Sequence, residues 1–197
     1  MDILKLILNA LFGFKKGSEP INDSGPQTDN KIEPKAFNEE LSMDNIDWTN
    51  PACKISKYFT VKEALWLNKW NRMANEQDGL NDTVKANLLS LFKKMDIIRD
   101  YIAKPIIVHV TYRPKEYNKL IGGATHSAHL EGLACDFSSD ITGDHVRNGQ
   151  DCDKIKEMLI PCLEQWGLRL EDNGKGSGWC HVDLKEPGAS GSRYFKP

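Results

Sequence analysis

Residues 112–137 read YRPKEYNKLIGGATHSAHLEGLACDF, and the change of character along this stretch sets the architecture around it. Arg113 to Gly132 is polar and interrupted by Gly122, Gly123 and Gly132, which marks a connecting stretch. Leu133 to Ser138 (LACDFS) then turns apolar and predicts a strand. In an extended chain Ala134 and Asp136 face one side, while Leu133, Cys135 and Phe137 face the other. Asp136 can therefore project from a strand into a cleft whose back wall is core. Upstream, Ile106–Thr111 (IIVHVT) is β-branched and reads as a buried strand. Downstream, Leu168–Leu170 and Trp179–Leu184 read as two strands joined by the turn-forming stretch Asn173–Gly178. Thr60 opens a capping box with Glu63 and predicts a helix over Val61–Asn71. A second helix is expected over Asp82–Ala103, with Val84, Leu88, Leu91, Met95 and Ile98 on one face and Pro105 as its stop. A third spans Asp151–Trp166 and ends at Gly167. Helices followed by mixed strands make the chain α+β.

The length of 197 residues suits one domain with an extension. We place the domain at residues 58–197, a linker or extended arm at 17–57, and an apolar helix at 1–16. The arm is rich in Ser, Asn, Asp, Gly and Pro and has no sustained apolar period. Ile3–Phe14 (ILKLILNALFGF) is too short to span a bilayer, which takes about 20 residues. It also lacks the basic start and small-residue cleavage site of a signal peptide. Ile3, Ile7, Leu11 and Phe14 recur at helical spacing. Two readings of residues 3–14 stay open: a helix docking on a membrane or a partner such as a virion, or one packed on its own domain or another copy. The net charge of −2 gives no nucleic-acid footprint. Five cysteines without regular spacing are not a disulfide framework, and no CxxC pair offers a zinc ribbon. This favours folding in a reducing cytoplasm.

A catalytic zinc takes three His or carboxylate ligands and keeps one position open. His129 and Asp136 stand seven residues apart, with Gly132 relaxing the chain between them and Ala134 leaving room beside Asp136. In Trp179–Asp183 (WCHVD), His181 and Asp183 share one strand face and Cys180 and Val182 the other. The candidate metal ligands are therefore His129, Asp136 and His181. Cys135 and Cys180 adjoin ligands yet point away, as small core residues. His109 reads as a packed core histidine, His126 as a loop residue and His145 as exposed.

The stretch Tyr112–Phe137 closely resembles the zinc D-alanyl-D-alanine carboxypeptidase family. That family includes phage endolysins and L-alanyl-D-glutamate endopeptidases, and it shares its fold with the hedgehog signalling domain. The likeness rests on Tyr112, Arg113, Tyr117, Asn118, Gly122, Gly123, Ser127, His129, Gly132, Ala134 and Asp136, and then on Trp179 and His181. It covers about 58–184. It implies a small antiparallel sheet with helices packed on one side. It also implies Zn2+ as cofactor and hydrolysis of peptidoglycan stem or cross-bridge peptides by a metal-activated water. A carboxylate would act as general base. Arg113 would bind a peptide carboxylate or the oxyanion, with Tyr112 and Ser127 beside the substrate. Such an enzyme would act at the cell wall or periplasm, virion-associated or tethered to a membrane.

Two departures stand out. Several members of that family carry an acidic residue or His two or three positions before the last ligand; here Trp179 and Gly178 stand there. Glu171 is the best substitute, ahead of Asp172 and Asp183. Val110-Thr111 also replaces a common Ser-Gly. The departure at the base keeps a second function in view: a non-catalytic zinc-binding virion or envelope protein that binds cell wall. A third is a dipeptidase acting on free D-Ala-D-Ala.

Overall fold

Thr60 starts the first helix by the capping box that its spacing to Glu63 predicts. The Glu63 amide donates to Thr60 Oγ1 at 3.3 Å, and the Thr60 amide donates to Glu63 Oε2 at 2.8 Å. The helix α1 spans only Val61–Leu65, which corrects the expected run to Asn71. Asn71 takes a positive φ of 52°, and the chain folds back as a short hairpin of β1 (Trp66–Leu67) and β2 (Arg72–Met73).

The long helix α2, Asp82–Ile102, is capped by Asn81, whose side chain accepts from the Val84 amide. Its predicted apolar stripe is buried throughout: Val84, Leu88, Leu91, Met95 and Ile98 all enter the core. Next come β3 (Ile107–Val110), the helix α3 (Lys115–Leu120), and a 3-10 turn over Ala128–Glu131. The strand β4 (Ala134–Ser138) follows, and then α4 (Gly149–Leu159). The third predicted helix is broken: a 3-10 turn at Ile160–Cys162 separates α4 from α5 (Leu163–Trp166). Pro161 explains the break, because it has no amide to donate and its ring crowds the preceding turn. The chain ends in β5 (Arg169–Glu171), β6 (Cys180–Asp183) and β7 (Tyr194–Phe195).

The main sheet has the order β3-β4-β6-β5-β7. Its pairings are antiparallel except the last, where β7 runs parallel to β5. Cys135, Phe137, Leu170, Cys180 and Val182 share one core with the apolar residues of α2 and α4, so both cysteines beside the proposed ligands do point inward. The Ile106–Thr111 strand is not buried as expected. It is an edge strand with Ile107 and His109 exposed, and His109 Nε2 meets Ser138 Oγ at 2.9 Å instead of packing in the core. An edge strand covered on one face leaves alternate residues in water.

The computed structural model describes residues 42–196. The apolar stretch 3–14 and the first part of the arm lie outside the described residues. The described end of that arm, 42–57, is not a linker. Ile46 and Ile55 are core residues, and Asp96 on α2 accepts from Ser56 Oγ (2.9 Å) and the Lys57 amide (3.0 Å). Among the described residues no helix is long and apolar enough to cross a membrane.

Ile55 is fully buried, and truncating such a side chain costs about 2–5 kcal/mol. Ile55→Ala should lower the urea-unfolding free energy by that amount. A loss below about 0.5 kcal/mol, typical of a surface change, would show that residues before Tyr58 do not belong to the folded unit.

Candidate metal centre

Strand register assembles the site. In the β4–β6 ladder Asp136 lies directly opposite His181, and Ala134 opposite Asp183. Directly opposed residues project from the same face, with Cβ atoms about 5 Å apart. In the β5–β6 ladder Arg169 pairs with Asp183 and Leu170 with Val182, so the next step sets Glu171 beside His181. The face opposite the core therefore carries Asp136, His181, Glu171, Asp183 and Arg169.

His129 reaches this face from the 3-10 turn before β4. Ser127 caps that turn, its hydroxyl accepting from the His129 amide at 3.4 Å. Gly132 ends it at φ 70°, packed against Val84 and Leu88 of α2. A side chain at Gly132 would be strained by conformation and by contact.

The three imidazole and carboxylate groups converge. His129 Nε2 lies 3.2 Å from Asp136 Oδ1 and 3.3 Å from His181 Nδ1, and His181 Nδ1 lies 2.7 Å from Asp136 Oδ1. One donor atom from each falls within 4.8 Å of the others. Two imidazoles and a carboxylate form a donor set suited to a divalent ion such as zinc. The outer contacts agree with that use. His129 Nδ1 meets the Thr111 carbonyl at 2.6 Å, which takes its N–H and turns the Nε2 lone pair inward. His181 Nε2 meets Asp183 Oδ2 at 3.4 Å, and Asp183 is itself held by Arg169 Nε and Nη2, each at 2.8 Å. Such outer bonds fix tautomer and ring orientation around metals.

The electrostatics follow the same contacts. Burial pushes the His129 pKa down. Burial also opposes charge on His181, but the carboxylates of Asp136 and Asp183 outweigh it and lift the imidazole to about 9. Burial would raise Asp136, yet the two histidines hold it well below the usual carboxylate range. Asp183 is likewise depressed: burial opposes, and its bonds to His181 and Arg169 win.

Asp136, His181 and Asp183 open into a cleft of about 370 Å³, lined also by Arg113, Ser127, Glu171 and Phe195, with His129 buried behind them. Arg113 is half-buried, and its Nη2 donates to Ser127 Oγ at 3.0 Å, which leaves other guanidinium donors for a ligand. Ser127 thus shapes both the turn and the arginine. Glu171 lies in the cleft as expected, and burial, with the charges of Asp136 and Asp183, raises its pKa against the opposing charges of His181 and Arg113. Asp172 points elsewhere, into a separate hollow with Asp153 and Lys156. Tyr112 corrects the reading that placed it on the substrate. It is buried, and its hydroxyl donates to the Asp78 carbonyl at 3.0 Å, away from the cleft. Asn118 and the two glycines act on shape: Asn118 Nδ2 donates to the Ala124 carbonyl at 3.0 Å, and a Cβ on Gly123 would meet Asn118 Oδ1 at 2.1 Å. His126 is exposed at the cleft edge, and His145 is exposed in its loop.

Sequence reasoning missed Arg169 and Phe195. Strand alternation from Glu171 would have put Arg169 on the same face. A second carboxylate group, Asp140, Asp144 and Asp151, also clusters within 4.8 Å. Its oxygens accept from the amides of Thr142, Gly143, His145, Val146 and Asn148, and we read it as the loop cap of α4.

The family model for Peptidase M15 matches residues 57–166. This is more than half of the chain. The chain belongs to the Peptidase M15 family. It is a metallopeptidase-type hydrolase with that family's α+β fold. The match includes His129 and Asp136; His181, Glu171 and Asp183 lie beyond it and join the site through β5 and β6. No curated protein matches the sequence.

Losing an outer-shell partner typically costs 10–100-fold in metal affinity. Asp183→Asn should weaken zinc binding by about that factor in competition against a chromophoric chelator. Unchanged affinity would mean that Asp183 does not support His181.

Proposed function

We propose that this M15 peptidase is zinc-dependent and hydrolyses peptide bonds of peptidoglycan stems or cross-bridges, with His129, Asp136 and His181 as ligands. The observation that carries this reading is the convergence of His129 Nε2, His181 Nδ1 and Asp136 Oδ1, with the other ring nitrogen of each imidazole already bonded to another group. A zinc held by these atoms supplies Lewis acidity, which polarises a scissile carbonyl and makes a water more acidic.

The chain's own residues supply the rest. Glu171 is the carboxylate suited to move a proton. Asp136 faces both histidines and Asp183 is held by Arg169, whereas Glu171 is half-buried in the cleft with a raised pKa. As general base it takes a proton from the attacking water and returns it to the leaving amine. Arg113, steadied by Ser127, orients a peptide carboxylate or the developing oxyanion. The absence of an acid or imidazole at Gly178 and Trp179 keeps the non-catalytic wall-binding protein as the second reading. Action at the cell wall, and attachment to a membrane or virion through residues 3–14, are parts of this proposal.

Purified protein is incubated with peptidoglycan fragments, and new amine termini are counted. Cleavage should vanish with a chelator and return with zinc. General-base catalysis contributes about 10²–10⁴-fold, so Glu171→Gln should lose about that much in kcat. Zinc bound without any cleavage would favour the wall-binding reading.

The pH profile gives an independent check. Glu171 must be ionised to act, so activity should fall as the pH drops through its titration, and Glu171→Gln should remove that acid limb. An acid limb that persists unchanged in the residual activity of Glu171→Gln would assign the proton transfer to another group.

A further inference from the structure

The last strand lies outside the family match, yet it forms part of the cleft. Phe195 on β7 lines the space in front of His181 and Glu171. Its backbone is fixed on β5: the Leu170 amide donates to the Arg193 carbonyl at 2.8 Å, and the Asp172 amide to the Phe195 carbonyl at 2.6 Å. The parallel register sets Phe195 beside Glu171. The ring lies over the Arg169 guanidinium, 4.3 Å from carbon to centroid, and stands 6.4 Å from the His181 ring at 79°. A ring held by a guanidinium on one face keeps a defined position and still offers its remaining apolar surface.

Charged and polar side chains dominate the rest of the lining. Among the described residues, two large apolar side chains meet the cleft, Phe195 and Trp179. Trp179 is 47% exposed, at the rim. A methyl group brought close to the ligand set therefore finds its main apolar contact at Phe195.

We propose that Phe195 is a specificity-determining residue: its ring takes the small aliphatic side chain of the substrate residue next to the scissile bond, and so selects alanine over glycine there. This rests on the peptidase reading of the same cleft. One methyl in a hydrophobic pocket discriminates by about tenfold or somewhat more. The contact is made in the bound ground state, so its loss should appear in KM.

The test uses the zinc-loaded full chain with L-Lys-D-Ala-D-Ala and its two single-glycine counterparts. The wild type should prefer alanine at one of the two positions by about tenfold in kcat/KM. Phe195→Ala should remove that preference by raising KM for the alanine peptide to the glycine value, and Phe195→Leu, which keeps an apolar wall, should retain most of it. Each variant is compared at saturating zinc with its metal content measured, so that a change in zinc affinity does not enter the comparison. If Phe195→Ala keeps the alanine preference, or weakens all three peptides equally, the proposal is overturned. If Phe195→Ala does not fold, Phe195→Ser and Phe195→Leu decide: a preference equal in both overturns it. If the wild type cleaves none of the peptides, calorimetric binding to zinc-loaded Glu171→Gln replaces the kinetics. An alanine preference in binding that disappears on adding Phe195→Ala upholds the apolar wall while the hydrolytic reading fails. No alanine preference in binding overturns the wall.

Discussion

The pairing of β4 with β6, which sets Asp136 opposite His181, is the constraint on which the site depends. The side-chain period of a strand is two, so a slip of β6 by one residue against β4 would turn His181 into the core and bring Cys180 and Val182 out. The apolar face prevents this slip. Cys135, Phe137, Cys180 and Val182 are wholly buried, and moving the last two to water would cost far more than any polar contact on the other face returns. The hydrophobic core thus fixes the register, and the register places the polar groups. His129 joins from outside the ladder, held by a capped turn, a glycine in the left-handed region and the bond from Nδ1 to the Thr111 carbonyl. Thr111 also ties its hydroxyl to the Ala64 carbonyl, which links the imidazole to α1.

Elements with local signals were legible in the sequence. The α2 stripe, the Thr60 cap and the in-out alternation of β4 and β6 each depend on near neighbours in the chain. The grouping of His129, Asp136 and His181 came from alternation together with the family motif, and the three side chains do meet. Contacts that depend on distant chain segments were not legible. The strand Ile106–Thr111 looked buried because its residues are β-branched, but propensity does not distinguish an edge from a centre. Tyr112 looked like a cleft residue because it precedes Arg113, yet adjacent residues diverge, and its hydroxyl finds Asp78 instead. The arm before Tyr58 looked like a linker because its polar composition outweighed its scattered isoleucines. Ile46 and Ile55 nonetheless found the core. The two-residue strand β7 carries no pattern of its own, so its parallel pairing with β5 follows only from the completed sheet.

The loop between β5 and β6 shows how the cleft keeps its shape without covalent staples. It is pinned to α4 at several points: Lys156 Nζ donates to the Gly174 carbonyl at 2.9 Å, and the Gly176 amide donates to Asp153 at 3.1 Å. Gly149 at the start of α4 touches the loop so closely that a Cβ there would lie 2.2 Å from the Gly176 carbonyl oxygen. These contacts hold the far ends of β5 and β6 together, and with them Glu171 and His181.

Three carboxylates share the cleft, and their surroundings give them different tasks. Asp136 sits between two imidazoles, which hold it ionised far below the usual range. Asp183 is anchored by a bidentate guanidinium and steadies His181 from behind. Glu171 bonds to neither kind of group: His181 and Arg113 act on it only through their charge, and burial, with Asp136 and Asp183, outweighs them and pushes its pKa up. Groups whose environments drive their pKa values apart are those that divide binding from proton transfer. A depressed carboxylate makes a good fixed charge and a poor base, because it gives little driving force for taking a proton. By that criterion neither Asp136 nor Asp183 can serve in place of the acidic residue missing from Gly178 and Trp179. Glu171 can, because its strand puts it one step beyond the Leu170–Val182 pair, beside His181. The proposed catalytic proton transfer has thus moved from the strand that carries the last ligand to its neighbour in the sheet.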